Sequence, residues 1–362
     1  MLLPNKCNLR LKNRVKSGNL RELAIVDGLV DFSSNDYLGL AKNCELKSTL
    51  NKHTDIEYLG AAGSRLLTGN SKLALETEGF LAGIFNAEAA LILNSGYSAN
   101  LSILSCLPQR GDLILYDELC HASIKDGIRL SNAQRYSFLH NDLSNLENKL
   151  KKSNGDTYVV VESIYSMDGD QCPIEELVHL CKKYKAYIIL DEAHATGILG
   201  DNGGGLSQVY NLENDIFCRI YTFGKALGYH GAAVVGSSQL KDYLINYARP
   251  FIYSTALPDM SYQIIKEGFL FLASNPKLRK DVKEITQYFI EEFYSNLASN
   301  FKRTNSSHPI QVILTGGNER TKAMSIELQK AGYDIRAILS PTVKEGAERL
   351  RICLHNYNTK DE

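Results

Sequence analysis

Six short, predominantly apolar runs, separated by helical stretches, constrain the fold of this chain more than any other feature. They are Ala89–Leu93, Leu113–Leu115, Tyr158–Val161, Tyr187–Leu190, Ile216–Tyr221 and Ala232–Val235. A strand with one face in water alternates apolar and polar residues. An unbroken apolar run marks a strand buried on both faces, as in a largely parallel sheet covered by helices. Six such runs between about residues 70 and 235 predict a doubly wound α/β domain. A chain of 362 residues is too long for one small core. After a helical stretch (259–300), the remainder reads as a smaller α+β part, with strands Ile310–Leu314 and Arg349–Leu354 around a helix Arg320–Ala331. The expected division is an N-terminal segment 1–45 carrying a helix over Leu9–Lys16, a large domain 46–258 and a small domain 259–362.

In open α/β sheets, ligands collect at the carboxyl ends of the strands. Asp191 and His194 follow one run in Asp191-Glu192-Ala193-His194. Lys225 follows another in Thr222-Phe223-Gly224-Lys225-Ala226-Leu227-Gly228. Glu162, Asn94 to Ser98, and Tyr116-Asp117-Glu118 follow three more, so one shared pocket is expected. A strand ending in Asp-x-x-His, then one ending in a lysine between glycines, suits an enzyme that uses pyridoxal phosphate (PLP). The lysine would bond the cofactor, and the carboxylate would keep the pyridine nitrogen protonated so that the ring can draw in electrons. Ser95-Gly96-Tyr97-Ser98 opens a helix whose first N–H groups suit a phosphate, although a plain N-cap reads the same way. His121, in Leu119-Cys120-His121-Ala122-Ser123, could be a satisfied core or surface histidine, and Ser166-Met167-Asp168-Gly169-Asp170 a turn. Arg349 and Arg351 share one strand face: one could form an ion pair while the other grips a carboxylate.

Other classes fit poorly. Asp-Glu-Ala-His is also a helicase signature, but the chain has no G-x-x-x-x-G-K-[ST] loop, and its net charge of -1 offers nucleic acid or an anionic membrane little attraction. No apolar run is long enough to span a bilayer, and the start, MLLPNKCNLRLKNR, lacks the apolar stretch of a signal peptide. Eight scattered cysteines without a C-x-x-C pair predict reduced thiols in a cytoplasmic protein and no metal site.

The ordered segments FSSNDYLGL, GAAGSRLLTGN, NSGYSANL, HASIKDG, ESIYSMDGD, DEAHATGILG, TFGKALG, RPFIYSTALP and SPTVKEGAERLRI run from Asp31 to Arg351. Together they resemble the α-oxoamine synthases, fold-type I PLP-dependent transferases that condense an amino acid with an acyl thioester and release CO2. The resemblance implies Lys225 as both the cofactor-bonding lysine and the base for the α-proton. It implies Asp191 on the pyridinium nitrogen, His194 on the ring phenolate, and His121 stacked on the ring. Gly96, Tyr97, Ser166 and Thr222 would help bind the cofactor. Arg351 would hold the substrate carboxylate, with Asn35 reaching in from the neighbouring subunit of a homodimer. Thr342 and Arg21 would contact the acyl substrate. Segment 1–45 would then serve substrate and interface, and 46–258 would bind PLP.

Gly228-Tyr229-His230-Gly231-Ala232-Ala233 and Ser254-Thr255-Ala256-Leu257-Pro258 favour the biotin-pathway member, which joins L-alanine to a pimeloyl thioester. The alternatives are glycine C-acetyltransferase, 5-aminolevulinate synthase and serine palmitoyltransferase. A non-catalytic partner subunit would be expected to lack the lysine, and Lys225 is present. Two departures stand out. Gly224 occupies a position where some relatives carry serine, which leaves that phosphate contact to backbone N–H groups. The sequence also ends at Glu362, where the family continues into another helix.

Overall fold

The computed structural model describes residues 3–23, 25–53 and 59–362. The described residues of 35–166 and 171–280 form one compact unit, and those of 1–34, 167–170 and 281–362 form another.

The large unit is built on seven strands: β1 (Ala89–Leu93), β2 (Leu113–Asp117), β3 (Gln134–Phe138), β4 (Thr157–Glu162), β5 (Tyr187–Asp191), β6 (Cys218–Thr222) and β7 (Ala232–Gly236). Their order across the sheet is β1-β7-β6-β5-β4-β2-β3. Only β7 is antiparallel to its neighbours, β1 and β6; every other pair is parallel. Leu93, Asp117, Glu162, Asp191 and Thr222 therefore all finish at one edge of the sheet. Every residue of β4 and β6 is buried, which is why these strands do not alternate apolar and exposed polar residues; the one charge within β6, Arg219, donates to Phe85 O at 2.7 Å and to the Tyr221 hydroxyl at 3.0 Å. The strand that the apolar runs did not reveal is β3. It lies at the sheet edge with only Phe138 buried, so its sequence, QRYSF, carries no continuous apolar signal.

The helices that flank the sheet start with side-chain caps, as their sequences favour. Ser71, Ser95 and Ser237 accept from Ala74, Ser98 and Leu240 N–H to open Lys72–Ile84, Gly96–Cys106 and Ser238–Tyr247. Glu78, fully buried in the first of these, accepts from Arg65 and Lys241 at 2.8 Å and from Ile92 N–H at 3.0 Å. A buried carboxylate with two cations and a backbone donor is well compensated, and here it fastens the GAAGSR loop to helix and sheet. Helix Asp259–Ser274 packs on Lys72–Ile84 and groups with the large unit, although its sequence position suggested the C-terminal part. Its apolar face (Tyr262, Ile265, Phe269, Leu272) is buried, so packing and not chain order sets its place. Among the described residues no helix is long and apolar enough to cross a membrane.

The small unit holds a sheet of β8 (Lys302–Arg303), β9 (Ile310–Leu314), β10 (Arg336–Ile338) and β11 (Arg349–Cys353), ordered β10-β11-β9-β8 and antiparallel throughout. Leu350 and Ile352 of β11 join Phe32, Phe293, Ile313, Ile335 and Leu354 in its core. Strand alternation sends Arg349 and Arg351 to the opposite face. The N-terminal Val30–Asp31 pairs in parallel with Tyr333–Asp334, which ties residues 30–32 to this unit.

Candidate active site

In the large unit, the strand ends bring Asp191, His194, Lys225, Glu162 and His121 into one cluster. Asp191 closes β5 and is buried. Its Oδ1 accepts from Ala193 N–H at 2.9 Å and its Oδ2 from Asn100 Nδ2 at 2.8 Å, so a negative charge is held there by two donors. Asn100 also donates to Ser123 Oγ at 3.0 Å. Lys225 lies in the turn between β6 and β7, which is closed by Gly228 N–H to Lys225 O at 2.7 Å and Tyr229 N–H to Phe223 O at 2.9 Å. Gly228 has φ +62°, and a Cβ there would fall 2.2 Å from the Ala41 nitrogen. Only glycine lets the Asn35–Ala41 segment pack against the lysine turn.

That segment completes the cluster. Lys225 Nζ is 3.0 Å from His194 Nε2, and His194 Nδ1 is 2.9 Å from the Tyr37 hydroxyl, which donates to Asn35 Oδ1 at 3.0 Å. Asn35 therefore sits in the site of its own chain.

His121 is the N-cap of helix Ala122–Leu130. Its Nδ1 accepts from Ser123 N–H at 3.2 Å, which leaves the proton of the neutral ring on Nε2. Burial pushes this imidazole below its usual value; Asp191 pulls it up and Lys225 presses it down. The His121 backbone N–H donates to Glu162 Oε1. Glu162 stands beside Asp191 in the register of β4 and β5. Burial, then Asp191, push its carboxyl from the ordinary 4.5 up to about 8, against the downward pull of Lys225 and the His121 N–H.

Glu162 thus keeps its proton in the folded protein at pH values where the unfolded chain has lost it. The stability this gives is full below about pH 4.5 and is lost as pH rises through about 8. Glu162→Gln removes the titration but keeps the shape. Its melting temperature should match the wild type near pH 4.5 and exceed it above pH 8, at about 2–4 °C per kcal/mol recovered. Thermal melts across that range check this, and parallel curves would contradict it.

At the other end of the cluster, Gly96 begins helix Gly96–Cys106 against Thr222, where a Cβ would come 3.3 Å from Thr222 Oγ1. Ser95 caps Ser98 N–H at 3.1 Å, so the Gly96 and Tyr97 N–H groups are the first of the helix and precede its intrahelical acceptors. The Tyr97 hydroxyl donates to Asp126. Ser166 is half-buried on the segment that leaves β4.

The small unit carries the remaining expected residues. Arg349 forms an ion pair with Asp168, and it donates to Met167 O at 3.0 Å and Ala347 O at 2.8 Å. Arg351, buried on the same strand face, places Nη1 2.9 Å from Cys353 Sγ. Arg21 and Thr342 meet through Arg21 Nη2 to Thr342 Oγ1 at 3.4 Å.

Sequence reasoning gave no role to Tyr37, Asn100 or Ser123. Tyr37 and Asn100 lie inside quoted segments, and their partners are 157 and 91 residues away in the chain.

The aminotransferase class I and II family profile matches residues 27–362. An 8-amino-7-oxononanoate synthase from Lysinibacillus sphaericus is 39% identical over 336 residues, covering 91% of this chain and 85% of that protein. One from Emericella nidulans is 38% identical over 375 residues, covering 94% and 89%. Among solved structures, the 8-amino-7-oxononanoate synthase of Francisella tularensis superposes with a TM-score of 0.79 at 28% identity, covering 93% of this chain and 95% of that one. A serine palmitoyltransferase from S. paucimobilis carrying a bound PLP–myriocin adduct superposes with a TM-score of 0.89 at 25% identity, covering 98% and 93%.

Proposed function

The chain belongs to the aminotransferase class I and II family, and from that premise we propose that it is a fold-type I, PLP-dependent acyltransferase. It condenses L-alanine with a pimeloyl thioester, of CoA or a carrier protein, to give 8-amino-7-oxononanoate, CO2 and the free thiol, a step of biotin biosynthesis. The observation that carries the reading is one amine, Lys225 Nζ, set 3.0 Å from His194 in a cluster that includes the buried Asp191 carboxylate.

The residues fit PLP. Lys225 offers an amine to its aldehyde carbon, and Asp191 a charge to its ring nitrogen. His121 offers a neutral ring face, and His194 with Ser166 polar groups for its phenolic oxygen. The cradle at Gly96, which a Cβ would crowd against Thr222, offers N–H groups and a hydroxyl to the phosphate, with Tyr97 beside it. When bound, PLP supplies an electron-accepting ring that stabilises negative charge left on the α-carbon of the amino acid.

The chain's own groups do the rest. Lys225 Nζ takes the α-proton of L-alanine. Asp191, fixed by Ala193 N–H and Asn100, holds its negative charge in place throughout. On the family resemblance, Arg351 and Asn35 would each bind the alanine carboxylate, and Arg21 and Thr342 the acyl substrate. A carbon–carbon bond forms to the thioester carbonyl, the thiol leaves, the carboxyl departs as CO2, and the α-carbon takes a proton back. We further propose a cytoplasmic homodimer with active sites at the interface. No disulfide joins any of the eight cysteines, in keeping with a reducing compartment.

The likeness to serine palmitoyltransferase keeps a second reading, another α-oxoamine synthase, in view. Thiol release measured with alanine, glycine and serine against acetyl, pimeloyl and palmitoyl thioesters separates the two. Alanine with the pimeloyl thioester should give the highest kcat/KM, by about tenfold or more. A preference for serine with the long chain, or glycine with the short one, would overturn the assignment.

A further inference from the structure

We infer that Tyr37 is a positioning residue: clamped by Asn35, its hydroxyl keeps the His194 proton on Nδ1 and so turns an Nε2 lone pair toward Lys225. The argument is one of counting protons. A phenol has a single O–H, and the Tyr37 hydroxyl gives it to Asn35 Oδ1, 3.0 Å away, an atom that can only accept. The same oxygen lies 2.9 Å from His194 Nδ1. With its own proton spent, it can only accept there, and Nδ1 must be the donor. The opposite ring nitrogen, Nε2, is then bare in the neutral ring, and it is the atom 3.0 Å from Lys225 Nζ. An ammonium or amine N–H can point into that lone pair; the other tautomer would set two N–H groups against each other.

Burial makes this choice matter. Tyr37 is 1% exposed and His194 is 5% exposed, so water is largely kept from the hydroxyl–imidazole contact. The Tyr37 and His194 rings are tilted by 56° with centroids 6.3 Å apart, so the hydroxyl contact, not ring stacking, carries the coupling. His121 is set the other way, since its Nδ1 accepts from Ser123 N–H. The two histidines of the site are thus held in opposite tautomers by their neighbours. His194 can also accept a second proton at Nε2 without releasing Tyr37, and in that doubly protonated form it would donate to the cofactor's phenolic oxygen.

The relevance of this to turnover rests on the function proposed above; the tautomer itself does not. The test is imidazole 15N–1H correlation NMR on the full-length protein, with and without PLP, with His194 assigned by its loss in His194→Gln. In the wild type, His194 Nδ1 should be protonated in both forms. In Tyr37→Phe, which keeps the ring in its packing site, the proton of the PLP-free form should move to Nε2, and kcat should fall about tenfold with KM for alanine within about twofold. A wild-type His194 with bare Nδ1, or a Tyr37→Phe protein with unchanged ring shifts, would overturn the inference. Shifted ring signals with unchanged kcat would overturn the positioning role in catalysis and leave the site assignment standing.

Discussion

Lys225→Ala should fold and yet turn over at least about 10³-fold more slowly than the wild type, because one substitution removes both the amine proposed to bond PLP and the proposed base for the α-proton. The fold should survive because the turn is held by backbone bonds, Gly228 to Lys225 and Tyr229 to Phe223, which do not involve the lysine side chain. Lys225 is half-buried at the sheet edge, so truncation opens space without cutting into the apolar core. His194 Nε2 loses its 3.0 Å neighbour. Melting temperature should stay within a few degrees of the wild type while kcat collapses. Steady-state kinetics on a protein shown folded by circular dichroism measures both, and a kcat within about tenfold of the wild type would refute the role.

Asp191→Asn should be the second severe variant, and its physics differs. The carboxylate accepts from Ala193 N–H through Oδ1 and from Asn100 Nδ2 through Oδ2. An asparagine there has only one acceptor oxygen, so its NH2 must face one of those two donors. It also loses the charge proposed to oppose the cofactor's protonated ring nitrogen. We expect kcat/KM to fall by about 10³-fold, roughly 4 kcal/mol of transition-state stabilisation, while folding loses about 1–3 kcal/mol. A second consequence lies next door. Asp191 is one of the groups that push the Glu162 carboxyl up to about 8, so removing its charge should return Glu162 toward the ordinary carboxylate range. Kinetics unchanged within about threefold would refute the pairing of Asp191 with the ring nitrogen.

The legible parts of the molecule were those set by local chemistry. Strands such as Thr157–Glu162 announce themselves because all six residues are buried, and the residues that follow them fall at one edge because the sheet is mainly parallel. Gln134–Phe138 escaped for the opposite reason, since a strand at the edge of a sheet keeps a polar sequence. The choice between Arg349 and Arg351 stayed open in the sequence because alternation puts both on one face. In the structure Arg349 is paired with Asp168. Nor could spacing reveal that Asn35 and Tyr37 stand beside His194 in the same chain. That juxtaposition needs the close approach of Ala41 to Gly228, a tertiary event with no local signature.

The central claim is that Lys225 is the residue that bonds PLP. Borohydride treatment of the PLP-loaded protein, followed by proteolysis and peptide mass mapping, tests it most directly. The account predicts a single phosphopyridoxyl label on the peptide containing Lys225, absent from Lys225→Ala. A label on another lysine, or a protein that takes up none, would contradict it.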